Sequence, residues 1–207
     1  MTRKFMTRKL LLIFILLLFN CSILLPQDDA NQKLNIVQEK FNSLKDFTVD
    51  FSRTLNSKKD LSGKMLYKYK NKIRLDMQNT IVISDSKSIW NFNKKDNKVF
   101  ITNAEYDSNS FLSLDKLVNE YPSECKVNII KIDAREVIEL TPGNSNLQFK
   151  KILIWTNNDN LLSKVTVEDQ TIGKMELNFA GYKLNSNIAD SKFSFTPPEG
   201  STVIDLR

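Results

Sequence analysis

Between residues 31 and 45 the apolar positions recur every three or four places. Leu34, Val37, Phe41 and Leu44 fall on one stripe, which predicts an amphipathic helix. From Phe47 onward the period changes to two. Phe47, Val49, Phe51 and Leu55 alternate with Thr48, Asp50, Ser52 and Thr54, as in a half-buried strand, with Arg53 the one charged residue at inward parity. Lys58-Lys59-Asp60 reads as a polar turn, after which Gly63, Met65, Tyr67 and Tyr69 alternate with Lys64, Lys68 and Lys70. Beyond a turn at Asn71, Ile73, Leu75 and Met77 alternate with Lys72, Arg74 and Asp76. Ile81 and Ile83 open another strand, which the turn-forming cluster Ser84-Asp85-Ser86-Lys87 stops. Ile89-Trp90-Asn91-Phe92 begins the next, and residues 98–102 form another.

Residues 108–121 return to a helical spacing through Leu114, Leu117 and Val118, and Pro122 closes that segment. Strands are predicted again at 126–132, 136–141, 148–156, 162–168 and 172–182. Thr141-Pro142-Gly143-Asn144 and Asn157-Asn158-Asp159-Asn160 are turns between them. The fold class is mainly β with α: about ten or eleven short, evenly spaced strands imply a single antiparallel sheet, strongly curled or closed into a barrel. Its apolar face must look inward, and the two helices are the available cover.

The first 26 residues differ from the rest. Arg3, Lys4, Arg8 and Lys9 precede an unbroken apolar run from Leu10 to Phe19, and Pro26 with Gln27-Asp28-Asp29 ends the segment. That order is a secretory signal, shorter than the roughly 20 apolar residues of a membrane span. Cys21 leaves two readings open. Leu18-Phe19-Asn20-Cys21 resembles a bacterial lipobox, in which the cysteine is acylated and becomes the new N-terminus; otherwise Cys21 is one more apolar residue of the signal. The expected organisation is a signal over 1–26 and a single domain over 31–207.

Removing the signal also changes the charge. The formal net charge is +6, but four of the 30 basic residues lie in the signal, leaving 26 against 24 acidic ones. A near-neutral domain without a clustered basic face does not suit nucleic acid. The only cysteine after Cys21 is Cys125, so the expectation is a buried apolar thiol and no internal disulfide.

Histidine is absent altogether, which removes the Ser-His-Asp and Cys-His arrangements and the commonest metal ligand. No glycine-rich phosphate loop is present among only five glycines. Carboxylate pairs such as Asp133 with Glu136, or Glu168 with Asp169, would meet the minimum for glycoside hydrolysis, yet charges at strand ends are more commonly solvated ion pairs. The expectation is therefore a protein that is not an enzyme and takes no metal or other cofactor.

Two stretches carry a resemblance. Ile81-Val82-Ile83-Ser84-Asp85-Ser86-Lys87-Ser88-Ile89-Trp90-Asn91-Phe92-Asn93 is similar to an apolar strand, a Ser-Asp-Gly-Lys turn and a Leu-Trp strand. Lys192-Phe193-Ser194-Phe195-Thr196-Pro197-Pro198-Glu199-Gly200-Ser201-Thr202-Val203-Ile204-Asp205 is similar to a closing segment that holds Phe-x-Phe-x-Pro-Pro-x-Gly. Together they resemble the outer-membrane lipoprotein carrier family (the LolA type), with weaker similarity across residues 31–207. The resemblance implies an incomplete antiparallel β-barrel, closed by an N-terminal and a middle helix, whose hollow holds acyl chains of lipoproteins in the periplasm. It implies as partners acylated lipoproteins, an inner-membrane ABC transporter of the lipoprotein-releasing type and an outer-membrane receptor, with the chain itself a monomer. Acylation of Cys21 would favour a membrane-anchored, receptor-like (LolB-like) member instead. A lipid-sensing envelope regulator on the same scaffold is a further alternative.

The expected acyl-chain hollow is lined by Val49, Phe51, Met65, Tyr67, Ile73, Leu75, Met77, Ile83, Trp90 and Phe92, with Leu112, Leu114 and Leu117 as the lid. A carboxylate introduced at Val49 or Leu75 is expected to abolish uptake while a hydrated hollow spares the fold. Exposing one chain of ~16 carbons to water costs on the order of 12 kcal/mol at ~0.8 kcal/mol per methylene, so a shielded route is physically required. Family members often carry an arginine on an early strand that holds the lid; the aligned position here is Tyr69, which brings no fixed charge.

Overall fold

The computed structural model describes residues 26–104, 113–144 and 147–207. Twelve strands form one sheet: β1 (Asp46–Leu55), β2 (Lys58–Lys68), β3 (Lys72–Met77), β4 (Thr80–Ser84), β5 (Ser88–Asn93), β6 (Lys98–Asn103), β7 (Cys125–Ile132), β8 (Arg135–Pro142), β9 (Phe149–Thr156), β10 (Leu162–Asp169), β11 (Gly173–Leu184) and β12 (Thr202–Asp205). Their order is β12-β6-β5-β4-β3-β2-β1-β11-β10-β9-β8-β7, so two meanders join where β1 pairs with β11 and the sheet remains unclosed at β12 and β7. Every pair is antiparallel except β12, which returns parallel to β6. The alternation predicted about ten or eleven strands; the additional one is β12, part of the closing motif.

Tight hairpins explain the regular meander. Asn56 and Ser57, Lys70 and Asn71, and Asp133 and Ala134 all have positive φ, the mirror-image turn that matches strand twist. Bulges bend the ribbon into a trough: register shifts occur in β1 between Thr48 and Asp50 and in β10 between Leu162 and Lys164.

Register places the side chains. Val49, Met65, Leu75 and Val82 stand opposite one another across β1–β4, on the concave face. The other meander continues it through Leu177, Val165, Ile154 and Ile138. One rank is a gap: Gly63 lies between Phe51 and Met77, and a Cβ there would run into the backbone carbonyl of Asp76.

Helix α1 (Pro26–Asn42) fills the trough, starting and stopping a few residues before the predicted 31–45. It buries Leu34, Val37 and Phe41, packs on β7 and β8, and meets the middle helical segment. That segment has a π-type stretch, Lys116–Glu120, which continues as one α-turn, Tyr121–Ser123. Pro122 sits inside this turn rather than ending the helix before it, because a residue in the first turn needs no backbone N–H partner.

The convex face is mostly charged and paired, as in Lys64–Asp50 at 2.7 Å, while at the sheet margin the inward-parity Arg53 is accommodated by Asp60 at 2.6 Å. Over β4–β6, however, the convex face is apolar and covered. The chain after β11 crosses it: Lys72 and Lys68 hold the Asp190 carboxylate, and Arg74 donates to the Lys192 carbonyl. Phe193 is buried and Phe195 packs on Phe92 at 5.6 Å. Asp46, only 2% exposed, accepts the backbone N–H groups of Ser186 and Ile188 and anchors the start of this strap.

Candidate functional site

The concave face and the two helices enclose the apolar centre. Phe41 of α1 lies 5.2 Å from the Tyr67 ring, which stacks on Phe47 at 4.9 Å; Phe47 in turn meets Tyr182 at 5.5 Å. Burial holds the Tyr67 phenol well above its ordinary range, and the nearby Asp115 carboxylate adds to the effect, so its hydroxyl stays neutral. Tyr182 donates its hydroxyl to the Leu162 carbonyl.

Among the described residues one apolar gap lies between helices and sheet. An apolar crevice of about 10 Å³, bounded by Val37, Phe41, Leu44, Phe47, Leu114 and Leu161, has room for about one water. The crevice is too small for an acyl chain while the helices lie on the sheet. Polar contacts hold them down: Gln38 Nε2 donates to the Val118 carbonyl at 2.9 Å, Asn42 and Asn119 exchange amide hydrogen bonds at 3.2 and 3.0 Å, and Asn119 and Asn71 both donate to Asp115. This amide–carboxylate chain ties the middle segment to α1 and to the β2–β3 turn.

The sequence-predicted lining divides in two. Val49, Met65, Tyr67, Phe51 and Leu75 are buried on the concave face, and Ile73 and Met77 are partly buried against the same core. Ile83, Trp90 and Phe92 are not there. Arg74 pairs with Ile83, Ile83 with Trp90, and Ile81 with Phe92, which puts all of them on the convex face beneath the C-terminal strap. The expectation that they line the hollow is corrected by this register: the run Ile81-Val82-Ile83 is apolar at every position because both faces are covered, and its concave member is Val82. Leu114 and Leu117 of the lid are fully buried against the core, and Leu112 and Cys21 lie outside the described residues.

Other expectations resolve locally. Tyr69 is 58% exposed in the β2–β3 turn. Arg74 faces outward, bonded to Asp76 at 2.9 Å. Cys125 is a free, half-buried thiol, its pKa pushed up to about 11 by burial and by Glu124. Glu136 pairs with Lys33, Glu168 with Lys151, and Asp169 accepts the Thr171 and Ile172 N–H groups. The pattern reading missed the crevice contributions of Val37, Phe41, Leu161 and Tyr182. The α1 stripe carried that signal for the first two, whereas Leu161 and Tyr182 arrive only through the β1–β11 pairing.

The chain has recognisable relatives. The family model described as outer membrane lipoprotein carrier protein LolA matches residues 42–196. The outer-membrane lipoprotein carrier protein of Nitrosomonas europaea is 25% identical over 204 residues, covering 93% of this chain and 98% of that protein. That of Photorhabdus laumondii subsp. laumondii is 26% identical over 189 residues, covering 86% and 90%. In three dimensions, an uncharacterized conserved protein from Thermus thermophilus shares the fold with a TM-score of 0.57 at 10% identity, covering 86% of this chain and 99% of that one. With the family match running from the end of α1 to the strap, the chain belongs to the outer membrane lipoprotein carrier protein LolA family.

Proposed function

We propose that this protein is an exported carrier that binds the acyl chains of lipoproteins against its concave sheet face and moves them through the periplasm toward the outer membrane. The observation that carries this reading is the closed trough: an apolar concave face covered by helices that polar contacts secure at one margin, in a chain whose relatives bear the name of lipoprotein carriers. Acyl chains need apolar area and no directional chemistry, which is what this face offers. Displacing α1 and the middle segment would expose Val49, Met65, Tyr67, Leu75, Leu177 and Phe179 to the ligand. In this reading the signal over 1–26 directs export, a lipoprotein-releasing ABC transporter loads the single domain over 31–207, and an outer-membrane receptor unloads it.

Mass spectrometry of the protein purified from its own envelope tests the reading, first under native and then under denaturing conditions. Non-covalent acylated polypeptides that dissociate on denaturation, with an unacylated chain, are expected. A chain that carries acyl groups covalently on Cys21 would make it the anchored, receptor-like member. Absence of any bound acylated molecule, with no uptake of added lipopeptide, would sink the carrier reading.

A further inference from the structure

At one end of the sheet lies a second cavity, an open polar cleft of about 820 Å³. It sits between Lys33 on α1, the start of β8 and the β9–β10 turn, and its size is that of clefts which hold small ligands, roughly 300–1,000 Å³. Asn160 borders both this cleft and the apolar crevice. The polar cavity thus opens where the apolar one ends.

Its walls are fixed by internal bonds. Lys33 and Glu136 close one side at 2.6 Å. The Asn157 side-chain oxygen accepts the N–H groups of Asp159 and Leu161 at 2.9 and 3.0 Å, and the Asn160 N–H returns to the Asn157 carbonyl at 3.1 Å. Those bonds lock the turn in shape. Lys164 Nζ lies 4.4 Å from the Trp155 ring centre and orients the indole.

The remaining polar side chains have no partner among the described residues: the Arg135 guanidinium, the Asn158 and Asn160 amides, the Ser163 hydroxyl and the Asp159 carboxylate. One cation, one anion and several neutral donors and acceptors match a ligand rich in both donors and acceptors and without net charge, such as a peptide backbone. An anionic lipid surface would select a run of lysines and arginines instead.

We infer that this cleft receives the first residues of polypeptide that follow the acyl-bearing residue of a lipoprotein, while the trough takes the acyl chains. The inference rests on the carrier reading and adds to it a site for the polar part of the cargo. Titration of the exported chain with two synthetic probes tests it: a diacylated lipopeptide with a short neutral peptide, and the same diacylglyceryl thioether without the peptide. The lipopeptide should bind about tenfold more tightly, the worth of two or so hydrogen bonds. The exposed double substitution Arg135→Ala/Asn158→Ala should abolish that advantage and leave affinity for the peptide-free probe unchanged. Equal affinity of the two probes for the unmodified protein overturns the inference and leaves the carrier reading standing. A double variant weakened equally toward both probes also overturns it, because the side chains would then act on the acyl site. If neither probe binds, the carrier reading falls and the cleft's role falls with it.

Discussion

Leu75 shows how much a single concave position depends on its closed surroundings. It stands between Met65 and Val82 at 2% exposure. Alternation alone suggested a hydrated hollow in which Leu75→Glu would spare the fold; the burial of Leu75 predicts the opposite. A carboxylate there has neither solvent nor partner, and its desolvation costs several kcal/mol. Leu75→Glu is expected to lose at least about 3 kcal/mol of the roughly 5–15 kcal/mol typical of a domain. Urea denaturation measures this, and an unchanged midpoint would mean the trough is open to water. The inward parity of Val49, Met65 and Leu75 was legible because each lies in a strand with one polar face. Ile83, Trp90 and Phe92 were not, because strands covered on both faces lose the alternation that tells the faces apart.

Among the elements, the C-terminal strap is the one whose role came only from packing. It buries Phe193 to 2% exposure, sets Phe195 against Phe92 and adds β12 to the edge at β6. Phe193→Ala removes a buried ring from a small convex cluster, a change worth about 3–5 kcal/mol when the site cannot collapse. The loss should be local. Amide hydrogen exchange should accelerate in β5, β6 and β12 while β9 and β10 keep their protection, because the two meanders share only the β1–β11 junction. Uniform acceleration across the sheet would refute a separate convex cluster. The helices were more readable. The three-and-four spacing of Leu34, Val37 and Phe41 placed α1, whereas the Asn42–Asn119 and Gln38–Val118 contacts that hold it follow from the way α1 and the middle segment meet.

At the scale of the whole molecule, titration predicts a broad stability plateau. The shifted carboxylates are all lowered in the folded state: Asp190 by Lys72 and Lys68, Glu136 by Lys33, Asp60 by Arg53, Glu176 chiefly by Asn178, and Asp205 to about 2 by Arg207. A lowered carboxylate stabilises the fold above its ordinary pKa, and that contribution is lost as pH falls through the lowered value. At the alkaline end Cys125, raised from 9.0 to about 11, and the raised Tyr67 and Tyr182 phenols favour the fold while neutral. Their contribution is lost as pH rises past the ordinary thiol value. With no histidine in the chain, melting temperature should stay level between about pH 5 and pH 9 and fall on either side. Thermal unfolding followed across that range checks it, and a step between about pH 6 and 7 would contradict the assignment.

By itself the sequence determined the mainly β class, the α1 stripe and the inward parity of β1–β3. Each is a local property, set by side-chain period or by turn chemistry within a few residues. Tertiary structure alone decided that the C-terminal strap covers a second apolar face. It also placed a polar cleft beside the crevice. Those features depend on which strands meet across long separations, as β1 does with β11 and β12 with β6, and on how fully α1 enters the trough. Period along a chain records whether a residue is covered; it does not record by what.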